Sequence, residues 1–96
     1  MKSLIVIPAR MKSSRLPGKP LKKIHGKELI LRVLEACKPL NSKNTKIVVA
    51  TDNKKIFDRV NFLNFNSILT SKLCRTGTDR VAEVAKKIKA DIYINV

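Results

Sequence analysis

Aromatic residues are scarce in this chain, at 4% with no tryptophan. The core must therefore be aliphatic. Base stacking, which single-stranded nucleic-acid binders depend on, has only Phe57, Phe62, Phe65 and Tyr93 to draw on. The three phenylalanines gather around one predicted helix and read as packing residues. Glycine is equally sparse, with three residues, and the chain contains neither GxxxxGK[ST] nor GxGxxG. P-loop phosphoryl transfer and hydride transfer on a dinucleotide-binding domain are both disfavoured by that. Two cysteines, Cys37 and Cys74, stand far apart with no CxxC, and His25 is the one histidine. A zinc site needs clustered ligands, so two incidental thiols in a reducing compartment are expected instead. Long hydrophobic runs are also missing. The first apolar stretch, Leu4 to Ile7, is too short for a signal or membrane helix. The expectation is a cytoplasmic protein with no membrane partner.

Acidic residues number 7 against 21 lysines and arginines, a net charge of +14. Such an excess suits anionic partners such as nucleotides, nucleic acid or an acidic membrane surface. The plainer account is charge scattered over solvated faces. A small basic nucleic-acid-binding protein would use the charge directly, but the shortage of aromatics argues against it.

The 96 residues are 44% hydrophobic and 29% charged, which fits one folded domain. Leu4-Ile5-Val6-Ile7 is a continuous aliphatic run closed by Pro8, the pattern of a strand covered on both faces. Residues 8–27 form a long cationic loop, and His25-Gly26 within it reads as a turn. From Glu28 to Lys38, Leu29, Ile30, Val33, Leu34 and Cys37 share one helical face, ended by Pro39. Ile47-Val48-Val49-Ala50 is a second buried strand. Thr51-Asp52-Asn53 leads into a helix with Ile56, Val60 and Leu63 on its apolar side. Ile68-Leu69 is a weak third strand. Thr76 to Asp79 resembles a capping box opening a helix with Val81, Val84, Ala85 and Ile88. Ile92 to Val96 is a fourth strand. The alternation predicts an α/β fold, a mostly parallel sheet with helices on both faces. The last strand is expected to be interior in a complete sheet and to leave an open edge here.

The loop after the first strand carries the chemistry. It holds Arg10, Lys12, Arg15 and Lys19, the hydroxyls of Ser13 and Ser14, and Gly18. A polyphosphate needs positive charge, hydrogen-bond donors and close backbone approach, and the loop supplies all of them. Met11 and Leu16 are expected to anchor it to the sheet. Lys22, Lys23 and Lys27 read as ordinary solvated charges. Asp52, just past a strand end, is either a ligand-facing carboxylate or the N-cap of the next helix.

The stretch from Ile7 to Leu21 resembles the N-terminal signature of the sugar nucleotidyltransferases that use CTP. Together with Gly26-Lys27, Val48-Val49-Ala50-Thr51-Asp52 and Thr76-Gly77-Thr78-Asp79-Arg80, it is most similar to the 3-deoxy-manno-octulosonate cytidylyltransferases, or CMP-Kdo synthetases. The resemblance spans essentially the whole chain. It implies a Rossmann-like nucleotide-diphospho-sugar transferase fold, truncated after about four strands. Residues 1–96 would then be the N-terminal CTP-binding part of a single domain. It implies catalytic roles for Arg10 and Lys19, and CTP contacts from Ala9, Arg10, Ser13, Arg15, Lys19, Thr76, Gly77, Thr78 and Arg80. The implied cofactor is Mg²⁺, with ligands in a later Gln-Gly-Asp-Glu-Pro segment and beyond, none of them in this chain. The implied partners are CTP, an acidic sugar and a second subunit, in lipopolysaccharide biosynthesis. Sialic-acid-type or spore-coat-type cytidylyltransferases share the arginine-rich loop and remain alternatives.

Overall fold

A computed structural model describes residues 1–10 and 21–96. The central strand is β1 (Ser3–Ala9), parallel to β4 (Thr45–Thr51) on one edge and to β6 (Ile92–Asn95) on the other. β5 (Asn66–Leu69) extends the sheet beyond β4, giving the parallel order β5-β4-β1-β6. The chain steps outward from β1 to β4 to β5, then returns across the sheet to β6. The expected parallel α/β architecture is therefore present, and its strand order reverses between β1 and β6.

Strand alternation divides the core. Ile5, Ile7, Ala9, Ile47 and Val49 face α1 (Leu29–Cys37) and α2 (Lys54–Phe62), where Ile30, Leu34, Cys37, Ile56 and Val60 complete one cluster. Leu4, Val6, Val48 and Ala50 face α3 (Gly77–Lys87) with Val84. Burial on both faces is why β1 and β4 read as unbroken aliphatic runs. Tyr93 secures the last crossover. Its hydroxyl donates to the Ile88 carbonyl at 2.6 Å and accepts from the Ala90 amide at 2.9 Å.

The helices begin and end where local chemistry places them. Asn53 caps α2, its Oδ1 accepting from the amides of Lys55 and Ile56 at 2.9 and 3.2 Å. Asp52, read from sequence as a possible cap, does not fill that role, because Asn53 sits one residue closer to the first turn. Before α1 lies a small hairpin, β2 (Lys23–Ile24) and β3 (Lys27–Glu28). His25 and Gly26 form its turn with φ of 53° and 80°. A two-residue turn with both φ positive matches the twist of a hairpin, and glycine adopts that conformation without strain. Thr76 caps α3 as expected, with Oγ1 accepting from the Asp79 amide at 3.0 Å. The reciprocal half of the box is altered: Asp79 accepts from the Arg75 amide at 3.2 Å.

The phenylalanines depart from the expected packing role. Phe65 packs against the core, but Phe62 is 74% exposed, with the Arg59 guanidinium 5.3 Å from its ring centre. Ile92 and Ile94 of β6, and Val96 just after it, are exposed. No helix among the described residues is long and apolar enough to cross a membrane.

Glu28 precedes α1 without capping it, because its carboxylate is committed elsewhere. It accepts two hydrogen bonds from Arg59 of α2, both at 3.0 Å, and its side chain is 6% exposed. The paired guanidinium holds the Glu28 carboxyl below its ordinary value, with burial opposing. A carboxyl whose pKa is depressed by folding stabilises the protein above its unfolded value near 4.5, and that stability is lost as pH falls through the folded value. Glu28→Gln should lower unfolding free energy at neutral pH by about 1–3 kcal/mol. It should also flatten the loss of stability in acid. Urea melts across pH 3 to 7 check this, and a wild-type acid limb no steeper than the variant's would count against the pair.

Candidate functional site

The reversal of strand order sets the place. The chain leaves β1 toward β4 on one side and comes back to β6 on the other, and a reversal of that kind places ligand sites beyond the carboxyl ends of the strands. Arg10 leaves β1 there, and the segment before α3 arrives there. The two segments touch: Arg10 Nη1 donates to the carbonyl of Arg75 at 3.1 Å across 65 positions of sequence. Gly77 lies close by. A Cβ on it would meet Pro8 Cγ at 3.4 Å and Asn95 Nδ2 at 3.7 Å, ordinary contacts. Its backbone conformation does not demand glycine either.

Next to this junction is a cavity of about 590 Å³ at the carboxyl ends of β4 and β5. Arg10, Asp52 and Asn53 line it, with Lys54 and Lys55 from the start of α2, and Leu69, Lys72 and Cys74 from the segment after β5. Four of these eight residues are cationic and one is acidic. Two lysines at a helix N-terminus oppose the helix dipole, by about 0.3–1 kcal/mol each at an exposed site. Asn53 offsets part of that by satisfying the free amides, and Lys54 pairs with Asp58 at 2.8 Å. With those amides capped, what the wall offers an anion is chiefly lysine charge. A smaller cavity of about 260 Å³ lies at the other end of the strands, near Asn41 and Asn64 to Asn66.

The segment between β5 and α3 is pinned in place. Glu83 accepts from the Ser71 amide at 2.9 and 3.0 Å and pairs with Lys87 at 3.3 Å. The Ser71 amide and then Lys87 hold its carboxyl low against burial. Cys74 Sγ lies 3.7 Å from Glu83. Burial pushes this thiol up, and Glu83 adds to the rise against the opposing charge of Arg80. The thiol is therefore protonated at neutral pH, which suits packing rather than nucleophilic chemistry.

The residues singled out by sequence fall into several groups. Arg10, Thr76, Gly77 and Thr78 come together at the junction, with Arg10, Thr76 and Thr78 exposed. Ala9 reaches the same place but is buried as the last residue of β1. Ser13, Arg15 and Lys19, along with Lys12, Met11 and Leu16, lie outside the described residues. Arg80 differs from the expected nucleotide contact. It is fully buried, and its guanidinium points to Thr70, Cys74 and Asp52. The reason is helical spacing: Arg80 stands one turn before Val84, on the face of α3 that meets the sheet. Lys54, Lys55, Lys72 and Cys74 were not foreseen. The one local signal was a lysine pair directly after a capping Asn53. Among the described residues, no three His, Cys, Asp or Glu side chains gather so as to hold a metal ion.

A parallel sheet with a cationic, polar cavity at the carboxyl ends of its strands, beside the point where strand order reverses, has the arrangement of a nucleotide-binding α/β protein. The chain belongs to the cytidylyltransferase family, whose sequence model matches residues 4–96. It is 50% identical over 93 residues to the 3-deoxy-manno-octulosonate cytidylyltransferase of Chlamydia pneumoniae, covering 95% of this chain and 36% of that protein. It is 44% identical over 95 residues to the Escherichia coli protein of the same name, covering 99% of this chain and 38% of the other. The fold is similar to that of a solved CMP:2-keto-3-deoxy-manno-octonic acid synthetase complexed with CTP. The TM-score is 0.90 at 44% identity, over 100% of this chain and 39% of that one. The chain thus spans little more than a third of the length of these relatives.

The cap at Thr76 holds the junction side of α3. Thr76→Ala should cost about 0.5–2 kcal/mol of stability. Thr76→Ser, which keeps the hydroxyl, should restore most of it. Thermal melts that rank Ser with Ala would show that the hydroxyl is not acting as the cap.

Proposed function

We propose that this chain is the nucleotide-binding part of an enzyme that transfers CMP from CTP to 3-deoxy-manno-octulosonate, giving CMP-Kdo and pyrophosphate. The observation that carries the reading is the Arg10–Arg75 hydrogen bond, which joins the cationic loop to the Thr76-Gly77-Thr78 segment at one crevice. Family membership and the likeness to relatives of that name support it. In this reading the first loop, through Arg10, Arg15 and Lys19, holds the phosphates. Thr76, Gly77 and Thr78 meet the base and ribose, where helix-start amides and hydroxyls are free to pair.

The reaction is attack of the sugar's anomeric hydroxyl oxygen on the α-phosphorus of CTP. A new phosphorus–oxygen bond forms, the hydroxyl proton is released to solvent, and the α–β anhydride bond breaks with its electron pair leaving on pyrophosphate. Arg10 contributes charge and a forked donor where negative charge accumulates on the phosphates. Mg²⁺ belongs to this proposal as the cofactor. The described residues do not fit a site for it, so its ligands would lie elsewhere in the working enzyme. The acidic sugar, a second subunit, a cytoplasmic location and a place in lipopolysaccharide synthesis are parts of the same proposal.

Two measurements test it. Titration of this chain with CTP should move the resonances of Arg10 and residues 75–80, and Arg10→Ala should weaken binding by about 1.5–3 kcal/mol, the scale of a charged hydrogen bond. Shifts confined to surface lysines away from the crevice would remove the site assignment. In an enzyme carrying this segment, pyrophosphate release with CTP and Mg²⁺ should be greatest with 3-deoxy-manno-octulosonate among acidic sugars. A preference for a sialic acid would change the acceptor and keep the class. No pyrophosphate release with any of the sugars and nucleotides would end the enzyme reading.

A further inference from the structure

Arg80 is fully buried, yet among the described residues its charge is answered by a single carboxylate. Its Nη1 donates to Thr70 Oγ1 at 2.5 Å, at the end of β5. Its Nη2 lies 3.5 Å from the carbonyl of Cys74, ahead of α3, and 3.6 Å from Asp52 Oδ2, just past β4. Nε has no hydrogen-bond partner among the described residues. One guanidinium therefore ties three chain segments at the carboxyl edge of the sheet, and two of its partners, Asp52 and Cys74, line the large cavity.

A buried charge with an unsatisfied donor destabilises a fold unless its remaining contacts are well made, and an apolar side chain would fill the same space without that cost. Packing alone does not call for arginine at this point of α3. Its fork does something an aliphatic residue cannot, because it fixes the spacing between Thr70, Asp52 and the Cys74 carbonyl at once. The next carbonyl along, that of Arg75, accepts from Arg10. Two guanidiniums thus hold consecutive carbonyls of one segment, Arg80 from inside the fold and Arg10 from the exposed crevice.

We infer that Arg80 is a positioning residue: it sets the Cys74–Arg75 segment against which Arg10 is placed, and it holds the Asp52 carboxylate in the cavity wall. The inference rests on the proposed nucleotide-binding reading. Arg80 itself touches no ligand in this account. It acts through Arg10 and through the shape of the segment entering α3.

The test is CTP affinity by titration calorimetry on the 96-residue chain, for wild type, Arg80→Met, Arg10→Ala and the double variant, with Val84→Ala as a stability control. Arg80→Met should weaken CTP binding by about threefold to thirtyfold, the range of second-layer couplings. Its effect should shrink in the Arg10→Ala background, because both changes disable the same placement. Val84→Ala should lower the melting temperature and leave affinity unchanged. If Arg80→Met fails to fold, Thr70→Val removes one acceptor of the same fork, and it should weaken binding and couple to Arg10 in the same way. A folded Arg80→Met or Thr70→Val variant with wild-type affinity, or with an effect equally large with and without Arg10, would overturn the positioning role alone. A wild-type chain that binds no CTP would overturn the nucleotide reading and the positioning role with it.

Discussion

Everything in this fold depends on β1 being hydrogen-bonded along both edges while both of its faces are buried. Its partners are β4 and β6, and its side chains from Leu4 to Ile7 are at most 5% exposed. A strand in that position needs a helix on each side. α1 and α2 cover one face and α3 covers the other, so the chain must cross the sheet once. That crossing is what makes the strand order reverse beside β1. The crevice at Arg10 is a geometric consequence of where the most apolar strand has to go.

Charge is distributed to match. With 21 cationic and 7 acidic residues, carboxylates cannot answer every positive charge one to one. Several of those are already committed: Glu28 to Arg59, Glu83 to the Ser71 amide and Lys87, Asp58 to Lys54, and Asp52 to Arg80. The cavity beside Arg10 gathers three further lysines around one carboxylate. Such a surface is unfavourable in isolation and favourable once an anion occupies it, which is the condition a polyphosphate site has to meet.

The buried polar contacts act as struts between elements distant in sequence. Glu28 and Arg59 join the hairpin before α1 to α2, and Arg80 joins the ends of β4 and β5 to the start of α3. Hydrophobic contact is non-directional and would allow these loops to slide. A forked guanidinium facing a carboxylate or a fixed oxygen permits far fewer arrangements. The segments that border the crevice are thereby held in one geometry without large side chains in the way.

How much was legible follows from the range of each interaction. Aliphatic runs at β1 and β4, the helical stripe of Ile30, Leu34 and Cys37, the turn at His25-Gly26 and the cap at Thr76 are local, so the sequence by itself determined them. It also determined the character of the loop after β1, because charge and hydroxyl density need no tertiary partner to be recognised. Which residues meet across that loop was another matter. The contact of Arg10 with the Arg75 carbonyl, the turning of Arg80 into the interior, the choice of Asn53 over Asp52 as a cap and the exposure of Phe62 each depend on how helices seat against the sheet. Residues 10 and 75 become neighbours only when the sheet reverses its order, and no periodicity in the chain records that reversal. Tertiary structure decided it, because hydrogen-bonded partners of a central strand are chosen by burial on both faces at once.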